Sequence, residues 1–411
     1  MGGKRATGRR AAWRAAPIVE WLLREGRLIA DPIALIDALA ERLIAAGAPV
    51  WRLRFGFSSV HPQIAMWGYV WVRGKGAEIT RVGHGFQSSE AFIGSPAERL
   101  MQTQAPVRVR LDRLAPDAHR MLHELAEMGG VDYVLLPMRF SDASMTLFGV
   151  TTDRRPGFAA ADLRKFEALA EALSPVFEVI KLRRVAKTLL DTYVGRRTGE
   201  RVLRGLVKRG DGETIHAALW FSDLREFTAL TETLPARKVL AMLNAYFEHV
   251  DAAVRPRGGE ILRFIGDAML IVFPAQTTRE VDAACRAAVD AALDAFSNLA
   301  ALNHRRRRAG EPQIEFGVGL NVGEVIYGNV GAPDRLDFTV MGPAVNRTAR
   351  LEGLTKTLGV PLLMSAEFAA HLRAPVRSLG AHALQRVPQP QEVFALEEML
   401  AAARAAQPDA A

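Results

Sequence analysis

The sequence has a single cysteine, Cys285, among 411 residues. One cysteine can form neither an internal disulfide nor a cysteine-based zinc site, which fits a reducing compartment. No stretch approaches the ~18 consecutive apolar residues that span a bilayer, and the N-terminus carries neither a secretory nor a myristoylation signal. We therefore expect a cytoplasmic protein without a membrane span.

Aromatic residues make up only 7% of the chain, but hydrophobic residues make up 49% and charged residues 24%. This balance is that of a globular protein with a core, and it excludes wholesale disorder, a collagen-like chain and a disulfide scaffold. At about 150 residues per domain, the length predicts two to three domains.

The chain has 53 Lys and Arg against 45 Asp and Glu, and the basic excess is local. It lies in two runs, Lys4, Arg5, Arg9, Arg10 and Arg14 near the start and Arg305 to Arg308 after a long helical pattern. A solvated tail and a helix C-terminus explain these runs more simply than a phosphate-rich polymer does. Since aromatic interleaving and zinc-ligand spacing are both missing, we expect no nucleic-acid partner.

The first half of the chain predicts a mixed α/β domain. Asp31 and Pro32 are typical of a helix start, and that helix is expected to run to about Gly47. Further helices are expected near Pro96 to Thr103 and Pro116 to Met128. Strands are expected at Val50 to Phe57, Gln63 to Val72, Val107 to Leu111, Asp132 to Phe140 and Met145 to Thr152.

A long helical pattern starts at Ala160, with Pro175 expected to interrupt it, and leads into a helical linker at 183–213. This order of elements resembles GAF-type sensory domains, so we expect a GAF-like sensory domain over 31–182. Five side chains are candidates for lining its ligand pocket, with packing in the core as the alternative. They are Trp51, Trp67, Trp71, His61 and His84.

The chemistry-bearing residues begin with a strand, Thr214 to Phe221, that leads into Asp223. A carboxylate at a strand end, before backbone N–H groups that turn into a helix, suits a cation together with a phosphate. Two apolar strands then meet at Gly266 and Asp267, the pattern of a hairpin turn. Pairing this hairpin with the first strand would place both carboxylates at one sheet edge, where they can hold two Mg²⁺ ions.

A third block delivers Thr339 on a strand, and a Gly-Pro turn then starts a helix. Asn346 and Arg350 are four residues apart and share one face of that helix. An amide and a guanidinium held there can orient a ribose and stabilise negative charge on a transferring phosphoryl group.

The three blocks resemble the catalytic domain of class III nucleotidyl cyclases from about Ile215 to Leu396. The resemblance implies a ferredoxin-like, palm-type α+β domain over 214–398, after the GAF-like domain. It makes Asp223 and Asp267 the metal-binding aspartates and places Leu224 with them. It also implies that Asn346 orients the ribose and that Arg350 is the transition-state arginine.

The resemblance further assigns substrate-binding residues, namely Arg263, Thr339, Phe227, Thr228 and Arg386. Arg263 stands at the base-reading position where adenylyl cyclases usually carry Lys, although its planar fork differs from an ammonium. Thr339 stands at the second base-reading position, where Asp or Thr is usual. Glu226 stands where the family usually has Gly in the turn that wraps the phosphates, and a carboxylate there repels a triphosphate unless it points away. Arg386 is placed as the phosphate-binding cation near the C-terminus.

Together these features predict an adenylyl cyclase that converts ATP to 3′,5′-cyclic AMP and pyrophosphate, with two Mg²⁺ or Mn²⁺ ions per site. A single cyclase domain implies a homodimer with composite sites, regulated through its N-terminal domain by an unidentified small molecule or protein. Two alternatives are a diguanylate cyclase, suggested by Gly258, Gly259 and Glu260, and a non-catalytic nucleotide-binding regulator. Residues 1–30 are expected to form a basic segment and 399–411 a disordered tail.

Overall fold

A computed structural model describes residues 13–60, 63–205, 208, 210, 212–275 and 277–406. The chain divides into two compact units, Met1–Leu189 and Leu190–Ala411. His61, the basic residues from Lys4 to Arg10 and the last five residues of the expected tail lie outside the described residues. Within the described ranges, no helix combines the length and the apolar character needed to cross a membrane.

The first unit is built on a six-stranded antiparallel sheet. Its strands are β1 (Arg52–Ser58), β2 (Ile64–Val72), β3 (Gly76–Gly83), β4 (Val107–Arg110), β5 (Asp132–Arg139) and β6 (Met145–Thr152). Their order across the sheet is β3-β2-β1-β6-β5-β4. Because successive side chains of a strand alternate between faces, both faces of this sheet can pack against helices.

Helices cover both faces of that sheet. They are α1 (Ala16–Arg24), α2 (Pro32–Ala45), α3 (Pro96–Thr103), α4 (Arg120–Glu127) and α5 (Ala160–Tyr193), with short 3₁₀ turns at Gly26–Leu28, Phe86–Ser88 and Leu111–Arg113. On one face α1, α2 and α5 bury an aromatic core that includes Phe55, Phe148 and Phe177. On the other face α3 and α4 pack on β4, β5 and β6 through a smaller apolar cluster.

Local chemistry explains the helix starts. The carboxylate of Asp31 accepts hydrogen bonds from the backbone N–H groups of Ile33 and Ala34, as an N-cap does. The expected interruption at Pro175 is wrong, since α5 continues through it. Trp67 and Trp71 are buried, Trp51 is half-buried and His84 is exposed.

The expectation of a plain basic segment over residues 1–30 misses part of the first core. Helix α1 lies inside that range, and Trp13, Ile18 and Leu22 are buried in the core of the first unit. At the other end of the chain, residues 399–406, expected to be disordered, belong to a terminal helix.

The second unit is a mixed α+β fold. Its elements are α6 (Arg196–Leu203), β7 (Gly212–Leu224), α7 (Phe227–Thr233), α8 (Ala236–Val254), a 3₁₀ turn (Arg255–Arg257), β8 (Glu260–Ile265), β9 (Ala268–Ala275), α9 (Thr278–Arg308), β10 (Phe316–Ala332), β11 (Arg335–Met341), α10 (Pro343–Leu358), β12 (Leu362–Ser365), α11 (Ala366–Ala369), β13 (Val376–His382), β14 (Gln391–Leu396) and α12 (Glu397–Ala406). The strand order is β13-β14-β12-β10-β7-β9-β8, and β11 extends β10 as a hairpin.

The centre of this sheet is a β-α-β-β-α-β arrangement in which β7 lies between β9 and β10. Helices α8 and α9 pack on one face around Trp220, Tyr246 and Phe273. Helix α10 packs on the opposite face and comes very close to β10. A Cβ added at Gly319 would lie 2.5 Å from the carbonyl oxygen of Thr348, so only glycine permits this approach.

Candidate active site

Two aspartates lie side by side where β7 ends. The pairing of β7 with β9 finishes at Ser222 and Met269, so Asp223 follows the last pair. Asp267 sits in the two-residue turn between β8 and β9, after Gly266 with its φ of 65°. A glycine with positive φ at the first turn position is typical of the hairpin turns that match strand twist. The expected carboxylate pair at one sheet edge is therefore present in the structure.

The two carboxylates interact strongly. Burial, a side-chain hydrogen bond with Asp223 and the charge of Asp223 together raise the pKa of Asp267 to about 6, against the lowering effect of backbone N–H groups of Asp267 and Leu224. Two carboxylates that share a site favour holding one proton between them. A cation that neutralises both side chains would therefore stabilise the pair in its ionised form.

One cation of the same chain already contacts this pair. Nζ of Lys356, near the end of α10, lies 3.0 Å from Oδ2 of Asp223. The side chain of Lys356 is 48% exposed and that of Asp223 is 24% exposed. The ammonium group of Lys356 therefore partly offsets the negative charge of the pair.

Two residues after Asp223, Arg225 forms a buried cluster with Glu352 and Thr355 that connects the end of β7 to α10. Nη2 of Arg225 donates to Oγ1 of Thr355 at 2.5 Å, and Nη1 lies 3.7 Å from Oε1 of Glu352. Glu352 is only 3% exposed, and burial followed by the charge of Asp223 raises its pKa to about 7. A Cβ at Gly317 would come within 2.7 Å of Oε1 of Glu352, so the missing side chain makes room for the cluster.

The turn after β7 adopts a conformation that suits glycine. Glu226 has a φ of 54° and is exposed, and α7 begins at the next residue, Phe227. A left-handed conformation is costly for a residue with a Cβ. Glycine would therefore fit this position better than glutamate does.

A cavity of about 1020 Å³ opens beside the carboxylates. Of the residues expected at the site, it is lined by Asp223, Leu224, Phe227, Thr228 and Asp267. Five other expected residues do not line it, namely Arg263, Thr339, Asn346, Arg350 and Arg386. One chain thus brings together the expected metal residues and two of the expected phosphate-binding residues, Phe227 and Thr228. It does not bring Arg386 or the residues expected for the base, the ribose and the transition state to this cavity.

The two expected base-reading residues lie on neighbouring hairpins. Nη2 of Arg263 on β8 is 2.7 Å from Oδ2 of Asp337 on β11, and both side chains are about half exposed. Thr339 is two residues further along β11, is 9% exposed and pairs with Gly328. Asp337 therefore orients the guanidinium of Arg263 in this structure.

Asn346 and Arg350 follow the start of α10 at Pro343. Asn346 is exposed and Arg350 is half-buried, and neither side chain has an ion pair or hydrogen bond to another described residue. Arg386 is exposed in the turn between β13 and β14, with a φ of 61°. All three residues have their polar groups available to a further binding partner.

The glycine pair that suggests a diguanylate cyclase does not lie in the hairpin turn. Gly258 follows a 3₁₀ turn with a φ of 79°, and Glu260 begins β8. The hairpin turn itself is formed by Gly266 and Asp267. This placement disfavours the diguanylate cyclase interpretation.

Sequence reasoning missed the contacts that α10 makes with the end of β7. Lys356 and Asp223 are separated by 133 residues, and Arg225 and Thr355 by 130. The available signal was that Glu352 and Lys356 are four apart on the helix that already carries Arg350. That spacing places two more charged side chains on one common face.

Comparison with known proteins supports the catalytic domain that the sequence predicts for the second unit. Residues 212–380 match the family of adenylate and guanylate cyclase catalytic domains. The second unit therefore contains a class III adenylyl and guanylyl cyclase catalytic domain over these residues, as the sequence predicts.

Two curated relatives each match about two fifths of the chain. Adenylate cyclase 1 of Rhizobium meliloti is 34% identical over 159 residues, which is 38% of this chain and 23% of that protein. The adenylate cyclase of Anabaena cylindrica is 33% identical over 171 residues, 41% of this chain and 33% of that protein. The chain thus spans between about a quarter and a third of these relatives. A solved bacterial light-regulated adenylyl cyclase is 24% identical, covers 64% of this chain and 86% of its own, and has a TM-score of 0.48.

Proposed function

We propose that the protein is an adenylyl cyclase that converts ATP to 3′,5′-cyclic AMP and pyrophosphate. The observation that carries this proposal is the pair Asp223 and Asp267 beside a large cavity, inside a domain that matches the cyclase family. The names of the two bacterial relatives, both adenylate cyclases, favour ATP over GTP. In the reaction, the ribose 3′-hydroxyl attacks the α-phosphorus in line and pyrophosphate leaves.

The donor set fits two divalent cations, Mg²⁺ or Mn²⁺. Within the described part of the chain, no group of three or more His, Cys, Asp or Glu side chains is arranged to hold a metal. Mg²⁺ is commonly held by one or two carboxylates together with substrate phosphates, which is what Asp223 and Asp267 offer, with the carbonyl of Leu224 as a further ligand. When bound, the ions would activate the hydroxyl and neutralise the phosphates. The raised pKa of Asp267 supports this fit, because a cation relieves the repulsion within the pair.

Three residues of this chain are proposed to bind the phosphates of the substrate. Phe227 and Thr228 are the first two residues of α7, which begins shortly after Asp223. The free backbone N–H groups at a helix start favour phosphate oxygens. Glu226 is exposed, which limits its repulsion of the phosphates. Arg386 is the third phosphate-binding residue that we propose, since its guanidinium is exposed on the turn between β13 and β14.

We propose a homodimer in which each site is completed by the partner. Asn346 and Arg350 do not line the cavity of their own chain and have no described partner. From a second copy, Asn346 would orient the ribose and Arg350 would stabilise the charge on phosphorus in the transition state. Losing one such preorganised donor typically costs about 10²- to 10³-fold in rate.

Arg263 and Thr339 would read the adenine in the same composite site. Asp337 fixes one edge of the Arg263 guanidinium at 2.7 Å, which leaves its other N–H groups free to donate to the base. Thr339 supplies a hydroxyl that can both donate and accept. Because arginine differs from lysine in shape, GTP is an alternative substrate that the assay must include.

Regulation by the first unit is supported by how α5 continues. This helix begins in the first unit and extends past the boundary at Leu189. The following helix, α6, is attached to the catalytic sheet, because the N–H of Arg197 donates to Glu260 at 3.1 Å and the Thr198 hydroxyl contacts that of Tyr327 at 3.3 Å. Since Glu260 begins the strand that carries Arg263, a movement of α6 would reach the base-reading residue.

The direct test is to identify the product. Purified full-length protein is incubated with ATP or GTP in Mn²⁺, and the products are separated by mass spectrometry. We expect 3′,5′-cyclic AMP and pyrophosphate from ATP, a smaller yield from GTP, and neither product from Asp223→Asn. Nucleotide binding without turnover in both Mg²⁺ and Mn²⁺ would instead favour the non-catalytic regulator.

A further inference from the structure

Two arginines lie side by side on one face of the first unit's sheet. Arg52 and Arg54 alternate along β1 with Leu53 and Phe55, whose side chains are buried in the aromatic core on the opposite face. Residues two apart on a strand share a face at a separation of about 7 Å. Nη1 of Arg54 lies 3.5 Å from Sδ of Met121 on α4, so this is the face that α3 and α4 partly cover.

Neither of these guanidinium groups is paired with an acid in the part of the chain that the structure describes. Among the described residues, no carboxylate lies within 4.0 Å of Arg52 or Arg54, whereas Arg73 and Arg108 of the same unit have carboxylate partners at 2.9 and 2.7 Å. The acidic side chain that acts on Arg52 from a distance, Glu78 on β3, is exposed. Arg52 and Arg54 are thus neighbouring cations to which the described ranges supply no paired counterion.

This arrangement is unfavourable for a protein without a ligand. Burial, and then the charge of Arg54, lower the pKa of Arg52 to about 10. Both side chains are half-buried, so they are desolvated but still reachable from solvent. Partly buried like charges destabilise a fold unless an opposite charge offsets them.

The neighbouring side chains supply hydroxyl groups. Thr151 lies directly across from Arg52 on β6, is 1% exposed, and its Oγ1 has no hydrogen-bond partner. The ring of Tyr133 and the Cβ of Arg54 pack over Gly149, where an added Cβ would be 3.4 Å from each. Paired guanidinium forks with nearby hydroxyl groups match the oxygens of a phosphate or a carboxylate.

We propose that Arg52 and Arg54 bind the oxyanion group of a small molecule, a phosphate or a carboxylate, with the Thr151 hydroxyl as an additional donor. The bound anion offsets the two neighbouring cations, and each guanidinium can donate two parallel hydrogen bonds to it. This site lies wholly in the first unit and does not depend on the proposed cyclase reaction. It gives the first unit a chemically defined ligand class.

The test is the thermal unfolding of the full-length protein followed by tryptophan fluorescence. Five of the six tryptophans belong to the first unit, so fluorescence mainly reports that unit. Sodium phosphate and sodium succinate, each up to 50 mM, are compared with sodium chloride at equal ionic strength. An anion at ten times its Kd should raise the midpoint by about 3 to 6 °C. A response to phosphate alone or to succinate alone identifies which oxyanion the site takes.

Variants separate binding from structural roles. Arg52→Met and Arg54→Met should abolish the anion shift, and without anion their midpoints should equal or exceed that of the wild type. Arg52→Lys keeps the charge but loses the fork, so it should weaken the anion about fivefold or more even if the methionine variants fold poorly. Arg73→Met is the matched control, since it removes a paired guanidinium and should lower the midpoint while keeping the shift.

Three results would overturn the proposal. The first is that neither phosphate nor succinate shifts the wild-type midpoint. The second is a shift that persists in both methionine variants. The third is a loss of stability in Arg52→Lys, Arg52→Met and Arg54→Met without anion that equals the loss in Arg73→Met, since the two arginines would then be ordinary structural residues.

Discussion

Replacing Glu352 by glutamine should change how the stability of the second unit depends on pH. Glu352 is 3% exposed, and its pKa rises from 4.5 to about 7 because burial and the charge of Asp223 disfavour its ionised form. A group with a raised pKa contributes its full stability below pH 4.5, and that contribution is lost as the pH rises through 7. Since one pKa unit is worth about 1.4 kcal/mol, the loss is about 3 kcal/mol.

Glutamine keeps the shape of the protonated side chain and has no charge to expose. The free energy of unfolding of Glu352→Gln, relative to wild type, should therefore rise by about 3 kcal/mol between pH 4 and pH 8. Hydrogen exchange of peptides from β7 and α10, corrected for intrinsic rates, measures this in the second unit alone. Glu367→Gln, at a side chain that is 54% exposed, is the matched control and should change stability by less than about 0.5 kcal/mol. A flat difference for Glu352→Gln would show that Arg225 keeps this carboxylate ionised, and the burial argument would be wrong.

Three further predictions concern the metal, the phosphates and the connecting helix. Lys356→Met should tighten Mn²⁺ binding without nucleotide about two- to fivefold by electron paramagnetic resonance, because it removes the ammonium group at 3.0 Å from Asp223; equal or weaker binding would contradict this. Glu226→Gly should lower the KM for ATP and stabilise the fold by about 1 kcal/mol, because it removes the carboxylate and suits the left-handed backbone. Glu226→Gln should lower the KM alone, since a residue with a Cβ stays in that backbone conformation. An unchanged KM in both variants would exclude repulsion by Glu226. One alanine inserted after Leu189 rotates the rest of α5 by about 100° and should alter cyclase activity. Seven inserted residues nearly restore the original rotation about the helix axis and should alter activity less. Equal activity in both variants would exclude coupling through α5.

The parts of the candidate site that are formed by residues close together in the sequence could be predicted from local patterns. The hairpin at Gly266 and Asp267 and the strand ending at Asp223 were predictable, because alternating apolar runs and a glycine turn are signals that span only a few residues. The helix that carries Asn346 and Arg350 was predictable for the same reason, since a Gly-Pro turn precedes it.

The other features of the site and fold depend on contacts between residues far apart in the sequence, which no local pattern reveals. The position of Arg225 gave no indication that its guanidinium would contact Glu352 and Thr355, because β10 and Gly317 bring those segments together. Strand β3 was not among the predicted strands, and its place in the sheet depends on its pairing with β2. Helix α1 was missed because the basic residues before it suggested a solvated segment, although Ile18 and Leu22 are buried.

Mixing two inactive variants tests the central claim most directly. Asp223→Asn removes the metal side of each site and Arg350→Ala removes the transition-state side, so each variant alone should be inactive. In a mixed dimer, one site combines an intact carboxylate pair with an intact arginine. If half of the dimers are mixed and half of their sites work, the equimolar mixture should regain about a quarter of wild-type turnover of ATP to cyclic AMP. A mixture of verified mixed dimers that stays inactive would contradict sites shared between two copies of this chain.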